Sequence, residues 1–69
     1  MAKLCDRLRM LRQEKQLKQT EMAKELGVSI RTYQYYESGE HVPDYYGLLA
    51  MADYFAVSLD YLTGRGDAR

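Results

Sequence analysis

A chain of 69 residues has room for one domain around a single small core, because a fold this short buries only roughly 60% of the surface its unfolded form exposes. With 46% hydrophobic residues, one proline and no tryptophan, the composition is globular, not disordered, and no apolar run approaches the roughly 20 residues of a membrane span. Lys3, Asp6, Arg7 and Arg9 interrupt any signal-peptide core, and the lone Cys5, read as a small apolar residue near the start of the first helix, cannot form an internal disulfide, so a cytoplasmic location is expected.

The charges cancel but are unevenly placed. Residues 1–18 carry six Lys or Arg against Asp6 and Glu14, whereas residues 19–69 carry four against eight acids. A basic first third can present one cationic face to phosphate; ordinary solvated helix charges account for the same pattern equally well.

Leu4, Leu8 and Leu11 recur at spacings of four and three, which predicts an amphipathic helix over about residues 3–15, with Arg7, Arg9 and Lys15 off the stripe and facing solvent. Leu17 is an apolar anchor after the break. A second helix follows over about 19–26, burying Met22, Ala23 and Leu26. Gly27 stops it, Val28 plugs the turn, and Ser29 is a favourable N-cap for a third helix that ends at Gly39. Asp44, just after Pro43, caps a fourth helix over about 45–55 whose inward stripe is Leu48, Met51 or Ala52, and Phe55. Ser58 caps a last short helix through Leu59 and Leu62 that Gly64 ends, and residues 65–69 have nothing to bury. No stretch alternates long enough for a strand. The expected class is all-α, with five short helices.

On a helical wheel of the third helix, Tyr33 and Tyr36 fall on one side and form the packed face with Val28. Gln34, Arg31 and Tyr35 lie opposite, with Ile30 at the edge. Arg can pair bidentately with guanine, Gln with adenine, and an apolar group can touch a thymine methyl. A surface helix with Arg and Gln is common, so the face alone is a weak signal. His41 is the only histidine and lacks a second ligand, so no metal site is expected. Nothing pairs a nucleophile with a base, cradles phosphate in glycines or sets two carboxylates together, so neither catalysis nor a cofactor is expected.

Helix, three-residue turn and helix, with Ala23 in the first helix and Gly27 at the turn, is far more restrictive than either helix alone. The segments LRMLRQEKQLKQTEMAKELGVS, RTYQYYESGEHVP and LLAMADYFAVSLDYLTG stand at mutually consistent distances. Together they resemble the Cro/cI-type, or XRE-type, helix-turn-helix family of bacterial and phage regulators, over nearly everything from Leu4 to Gly64. The resemblance implies a five-helix lambda-repressor-like domain over residues 1–64, with the motif at about 19–38 and a tail at 65–69. It implies a sequence-specific regulator of double-stranded DNA, expected to repress, acting as a homodimer on operator half-sites. A second reading from another class is an antitoxin-type module that neutralises a partner protein.

Carried over by position, the resemblance makes Gln19 a phosphate clamp and makes Ile30, Arg31 and Tyr35 base readers, with Thr32 and Gln34 near the backbone or an adjacent base. Ser29 and Lys18 flank those positions, and His41 lies in the loop that in relatives runs along the DNA backbone. Arg12 and Glu37 match a structural pair between the first and third helices, the alternative being two solvent-exposed charges worth little as an ion pair. Leu59, Tyr61 and Leu62 are candidates for a dimer contact, although closing the core is an alternative for the two leucines in particular. Ile30 stands where relatives often have a polar residue, and reading a methyl or packing are both open to it. Lys18 stands where a Ser or Asn cap is common; a cation there is unfavourable unless a phosphate docks, the alternative being a frayed first turn with Lys18 in solvent. Gln16 replaces a common glycine, which predicts a looser end to the first helix. Tyr45 or Tyr46 could donate to phosphate or simply pack on the surface.

Overall fold

Capping chemistry sets most of the helix boundaries. In the computed structural model, which describes residues 3–69, the helices are α1 (Leu4–Glu14), α2 (Gln19–Leu26), α3 (Ile30–Ser38), α4 (Tyr45–Phe55) and α5 (Leu59–Thr63). The first two residues of the expected domain lie outside the described residues. Ser29 Oγ accepts the Thr32 N–H at 3.1 Å, Asp44 Oδ1 that of Gly47 at 2.8 Å, and Ser58 Oγ that of Tyr61 at 3.0 Å, starting α3, α4 and α5. Gly27, Gly39 and Gly64 end α2, α3 and α5 at positive φ, where a Cβ would be strained.

Two helix ends manage without glycine. Gln16 sits at φ 58° and Ala56 at φ 56°, both left-handed. After Gln16 the Leu17 N–H returns to the Arg12 carbonyl at 3.2 Å, and after Ala56 the Val57 N–H returns to that of Ala52 at 3.0 Å. The expectation of a loose end to α1 is thus corrected. The chain closes a full 6→1 turn there, driven by burial of Leu17 and Val57 against the core, and Gln16 and Ala56 bear the strain.

Each helix delivers one large side chain to the centre. Leu8, Met22, Tyr33, Met51 and Leu62 are completely or almost completely buried, and Leu11, Ala23, Ala52, Phe55 and Tyr61 fill the space around them. Burial of each large apolar side chain contributes about 1.5–3 kcal/mol. On α4 the inward stripe uses both Met51 and Ala52 as well as Phe55. The α2–α3 pair and the α1–α3 pair pack most extensively, so the third helix is held from two sides.

The α1/α5 side departs from the sequence reading in three ways. Arg7 does not face solvent: its guanidinium lies 3.9 Å from the Tyr61 ring centroid and donates to the Tyr61 carbonyl at 3.2 Å and to Asp67 Oδ1 at 3.2 Å. A long cationic side chain can cover an aromatic ring and still reach water, which a wheel cannot reveal. The tail contributes no apolar side chain but is docked by polar contacts. Arg69 donates to Glu14 at 2.9 Å with its guanidinium carbon 5.2 Å from the Tyr61 ring centroid, and the Ser58 N–H donates to the Arg69 carbonyl at 2.7 Å. Tyr61 and Leu62 are 7% and 0% exposed, so within this fold they close the core and leave little surface of their own; Leu59 is half-buried.

Candidate nucleic-acid interface

The elements bearing the candidate residues converge on one buried carboxylate. Glu37, near the end of α3, is 4% exposed, the one charged residue among the buried set. Arg12 from α1 grips it with Nε at 2.6 Å from Oε2 and Nη2 at 3.2 Å from Oε1. The Tyr33 hydroxyl donates to Oε2 from one turn earlier, and Gln19 Nε2 donates to Oε1 at 3.0 Å from the first turn of α2. Arg12 also donates Nη1 to the Leu17 carbonyl at 2.8 Å, closing the α1–α2 connection. No buried polar side-chain atom among the described residues lacks a partner.

The electrostatics follow from that geometry. Burial pushes the Glu37 carboxyl upward, but the hydrogen bonds from Arg12, Tyr33 and Gln19 outweigh it and hold the group below its ordinary value. The hydrogen bond to Glu37 raises Arg12 against the effect of burial, and burial followed by the Glu37 bond pushes the Tyr33 phenol far upward. The hub therefore stays a charged pair plus a neutral phenol across the physiological range.

Outside this hub lies an open concavity of about 460 Å³, lined by Arg12, Lys18, Gln19, Thr20, Ile30 and Gln34. It is where the starts of α2 and α3 face the same solvent. Gln19 is half-buried: its carbonyl accepts from Gln34 Nε2 at 3.3 Å while its amide serves Glu37, which leaves one N–H unused. Ile30 is 38% exposed at the rim, its side chain open to solvent and not enclosed in the core. Lys18 is exposed and supplies no cap of its own, yet the turn is not frayed. The Lys18 backbone N–H is taken by Glu21 Oε1 at 2.8 Å, the acidic half of a capping box. Sequence reasoning missed Glu21, and its position three after Lys18 was the signal available.

Further along α3, Arg31 is exposed and its Nε donates to the Tyr35 hydroxyl at 3.0 Å. The Tyr35 ring meets the His41 ring edge-on, with centroids 4.7 Å apart. Ser29 and Thr32 are joined by their hydroxyls at 3.0 Å, so part of their hydrogen-bonding capacity is used locally. The candidates thus fall into two neighbouring groups, Lys18–Gln19–Ile30–Gln34 around the concavity and Arg31–Tyr35–His41 beyond it, with Ser29 and Thr32 capping the helix. Tyr45 and Tyr46 are 62% and 76% exposed and stack edge-on against each other, with centroids 5.5 Å apart.

The basic first third does not form one face. Arg7 is committed to Tyr61, Arg9 to Asp6 at 2.9 Å and Arg12 to Glu37, while Lys15 lies 5.4 Å from the Tyr54 ring. Only Arg12 and Lys18 of this group line the concavity. Summed charge along a sequence overlooked these internal partners, some of them more than 50 positions away.

A five-helix all-α domain, with α2 and α3 joined by a glycine turn and buttressed by α1, is the architecture of lambda-repressor-like helix-turn-helix proteins. The chain belongs to the helix-turn-helix family, whose model matches residues 8–62. It is 40% identical over 63 residues to the cryptic phage CTXphi transcriptional repressor RstR of Vibrio cholerae serotype O1, covering 91% of this chain and 56% of that protein. Among solved structures, a transcriptional regulator from Listeria innocua superposes with a TM-score of 0.86 at 40% identity, over 90% of this chain and 58% of that one. The P22 c2 repressor, solved in complex with a synthetic operator, gives 0.84 at 28% identity, over 91% of this chain and 96% of that one. The chain spans little more than half the length of the first two relatives.

Proposed function

We propose that this domain is a sequence-specific double-stranded DNA-binding module of a transcriptional repressor, acting in the cytoplasm and without catalysis of its own. The observation that carries this reading is the outward row of α3, Ile30, Arg31, Gln34 and Tyr35, set beside the N-terminus of α2 on a rigid buried hub. Hydrogen-bonding side chains on a short, firmly held helix suit base edges in the major groove, and the adjacent helix N-terminus with Lys18 suits phosphate. The likeness to the P22 c2 repressor, solved on an operator, supports the same reading.

On DNA the module acts as a homodimer over half-sites about one helical turn apart, the usual way one short domain gains enough base contacts. Selection from a random duplex pool should return a two-fold repeated site. Arg31→Ala should then weaken binding to it by about 1–3 kcal/mol while relaxing one base position per half-site. Failure to enrich any site would reject the reading.

The protein-neutralising alternative has its own observation in the exposed Val42, Tyr45 and Tyr46. It predicts co-purification with a second small protein that Tyr46→Ser abolishes without altering DNA binding.

A further inference from the structure

Arg31 and Tyr35 are one turn apart on the outer face of α3, where i and i+4 side chains meet. Their contact differs from two independent base readers. The Tyr35 hydroxyl accepts the Arg31 Nε–H at 3.0 Å, with the guanidinium carbon 5.8 Å from the ring centroid. A guanidinium has five N–H donors in a fixed planar fork. With Nε occupied, the two terminal nitrogens remain available as an end-on pair.

Tyr35 is itself braced from behind. Its ring abuts His41 edge-on at 4.7 Å and an interplanar angle of 81°. Its backbone carbonyl gathers three donors, Ser38 Oγ at 3.1 Å, the Gly39 N–H at 3.1 Å and the His41 N–H at 3.3 Å. The loop after α3 is thus folded back onto this one residue. Ring, loop and hydroxyl together restrict a side chain that is half-buried, beside an arginine that is exposed.

We propose that Tyr35 is a positioning residue, not a base reader: its hydroxyl holds Arg31 for end-on recognition of a guanine in the major groove, with His41 as the brace. This inference rests on the DNA-binding reading above. The chemistry is specific, because guanine presents two acceptors, O6 and N7, on its major-groove edge, which match two parallel N–H donors. An arginine free to rotate would find a phosphate equally attractive, and fixing Nε favours the base-facing arrangement.

The test is a comparison of wild type, Arg31→Ala, Arg31→Lys, Tyr35→Phe and the Arg31→Lys/Tyr35→Phe double variant on the selected site and its single-base variants. Salt dependence and urea midpoints are measured alongside. The inference requires a guanine at the position that Arg31→Ala relaxes. Tyr35→Phe should lower the preference for that guanine about tenfold. The urea midpoint, the salt slope and binding to unrelated DNA should be unchanged, which a merely structural role would not produce. Arg31→Lys, which keeps the charge but lacks Nε, should lose as much, and Tyr35→Phe should add nothing to it.

The inference is overturned if Tyr35→Phe keeps the preference, if it relaxes a different base pair from Arg31→Ala, if the two changes are additive, or if the position holds no guanine. If wild-type protein selects no site, the DNA-binding reading fails first. That result is distinct from a selected site insensitive to Tyr35→Phe.

Discussion

Arg12 of α1 and Glu37 of α3, 25 positions apart, meet with Nε 2.6 Å from Oε2, and the carboxylate they share reaches α2 through Gln19. An exposed ion pair contributes at most about 1 kcal/mol, but a buried one whose partner is removed leaves an uncompensated charge.

Arg12→Ala should therefore cost about 3–5 kcal/mol, because Glu37 cannot regain water without opening the α1–α3 contact. Glu37→Gln, which keeps the shape and one carbonyl acceptor, should cost less, about 1–3 kcal/mol. Replacing both by Met should be milder than Arg12→Ala alone. Urea unfolding monitored by circular dichroism ranks the three variants, and losses of no more than about 1 kcal/mol for both single changes would indicate a pair of surface character.

Acid stability should report the same group. Glu37 is held below its ordinary value of 4.5 in the fold, so the native state binds fewer protons than the unfolded chain as the pH falls. Its contribution is complete above that value and is lost as the pH drops through the lower folded value; Glu14, lowered by its bond to Arg69, acts in the same direction. Tyr33 sets the alkaline limb, because its raised phenol contributes fully below its ordinary 10.0 and loses that contribution above it. Glu37→Gln should lower the neutral plateau and flatten the acid limb in urea midpoints measured across pH.

The two left-handed residues without glycine are sites of removable strain. Gln16→Gly and Ala56→Gly each replace an exposed side chain at positive φ, and each should raise stability by about 1 kcal/mol. The sites lie at the ends of different helices, so the gains should add. Unchanged or lowered melting temperatures would show that the side chains compensate for the strain.

Lys18 should behave as a phosphate contact. Lys18→Ala is expected to weaken binding to selected and unrelated duplexes alike, and to reduce the slope of log K against log salt by about 1. Its urea midpoint should hold, because the Glu21 cap uses the backbone of Lys18 and not its side chain. A loss confined to one operator position would instead make it a base contact.

Much of this domain was legible from its residues, and the unreadable parts have a common cause. Leu4, Leu8 and Leu11 gave α1 to within a residue or so at each end, and Ser29, Asp44, Ser58, Gly27, Gly39 and Gly64 marked six of the other eight boundaries, since caps and left-handed turns are local chemistry. Ala56 escaped because nothing about alanine announces positive φ. The burial of Glu37 was partly visible, since on the wheel it sits between Tyr33 and Ile30. What the wheel could not supply was the partners that make such burial tolerable. Arg7 over Tyr61, Arg69 on Glu14 and the tail against Ser58 join residues well apart in the chain, and local pattern holds no information on them. On the candidate site, residue type indicated which side chains face outward, but not that the Tyr35 hydroxyl is already bound to Arg31.

The carboxylate shared by three helices divides the interface into replaceable and irreplaceable positions. Ile30 and Gln34 on the rim of the concavity, and Arg31 beyond it, should be exchangeable for other side chains with little consequence for folding. Gln19 is more constrained, because the amide facing the concavity is also one of the donors to Glu37. On the proposed DNA-binding reading, retargeting this domain to new sequences means rewriting the outer letters of α3 while leaving the first residue of α2 untouched. Libraries randomised at Gln19 should lose about 1–3 kcal/mol of stability along with recognition, a loss that those randomised at Ile30, Arg31 or Gln34 should escape.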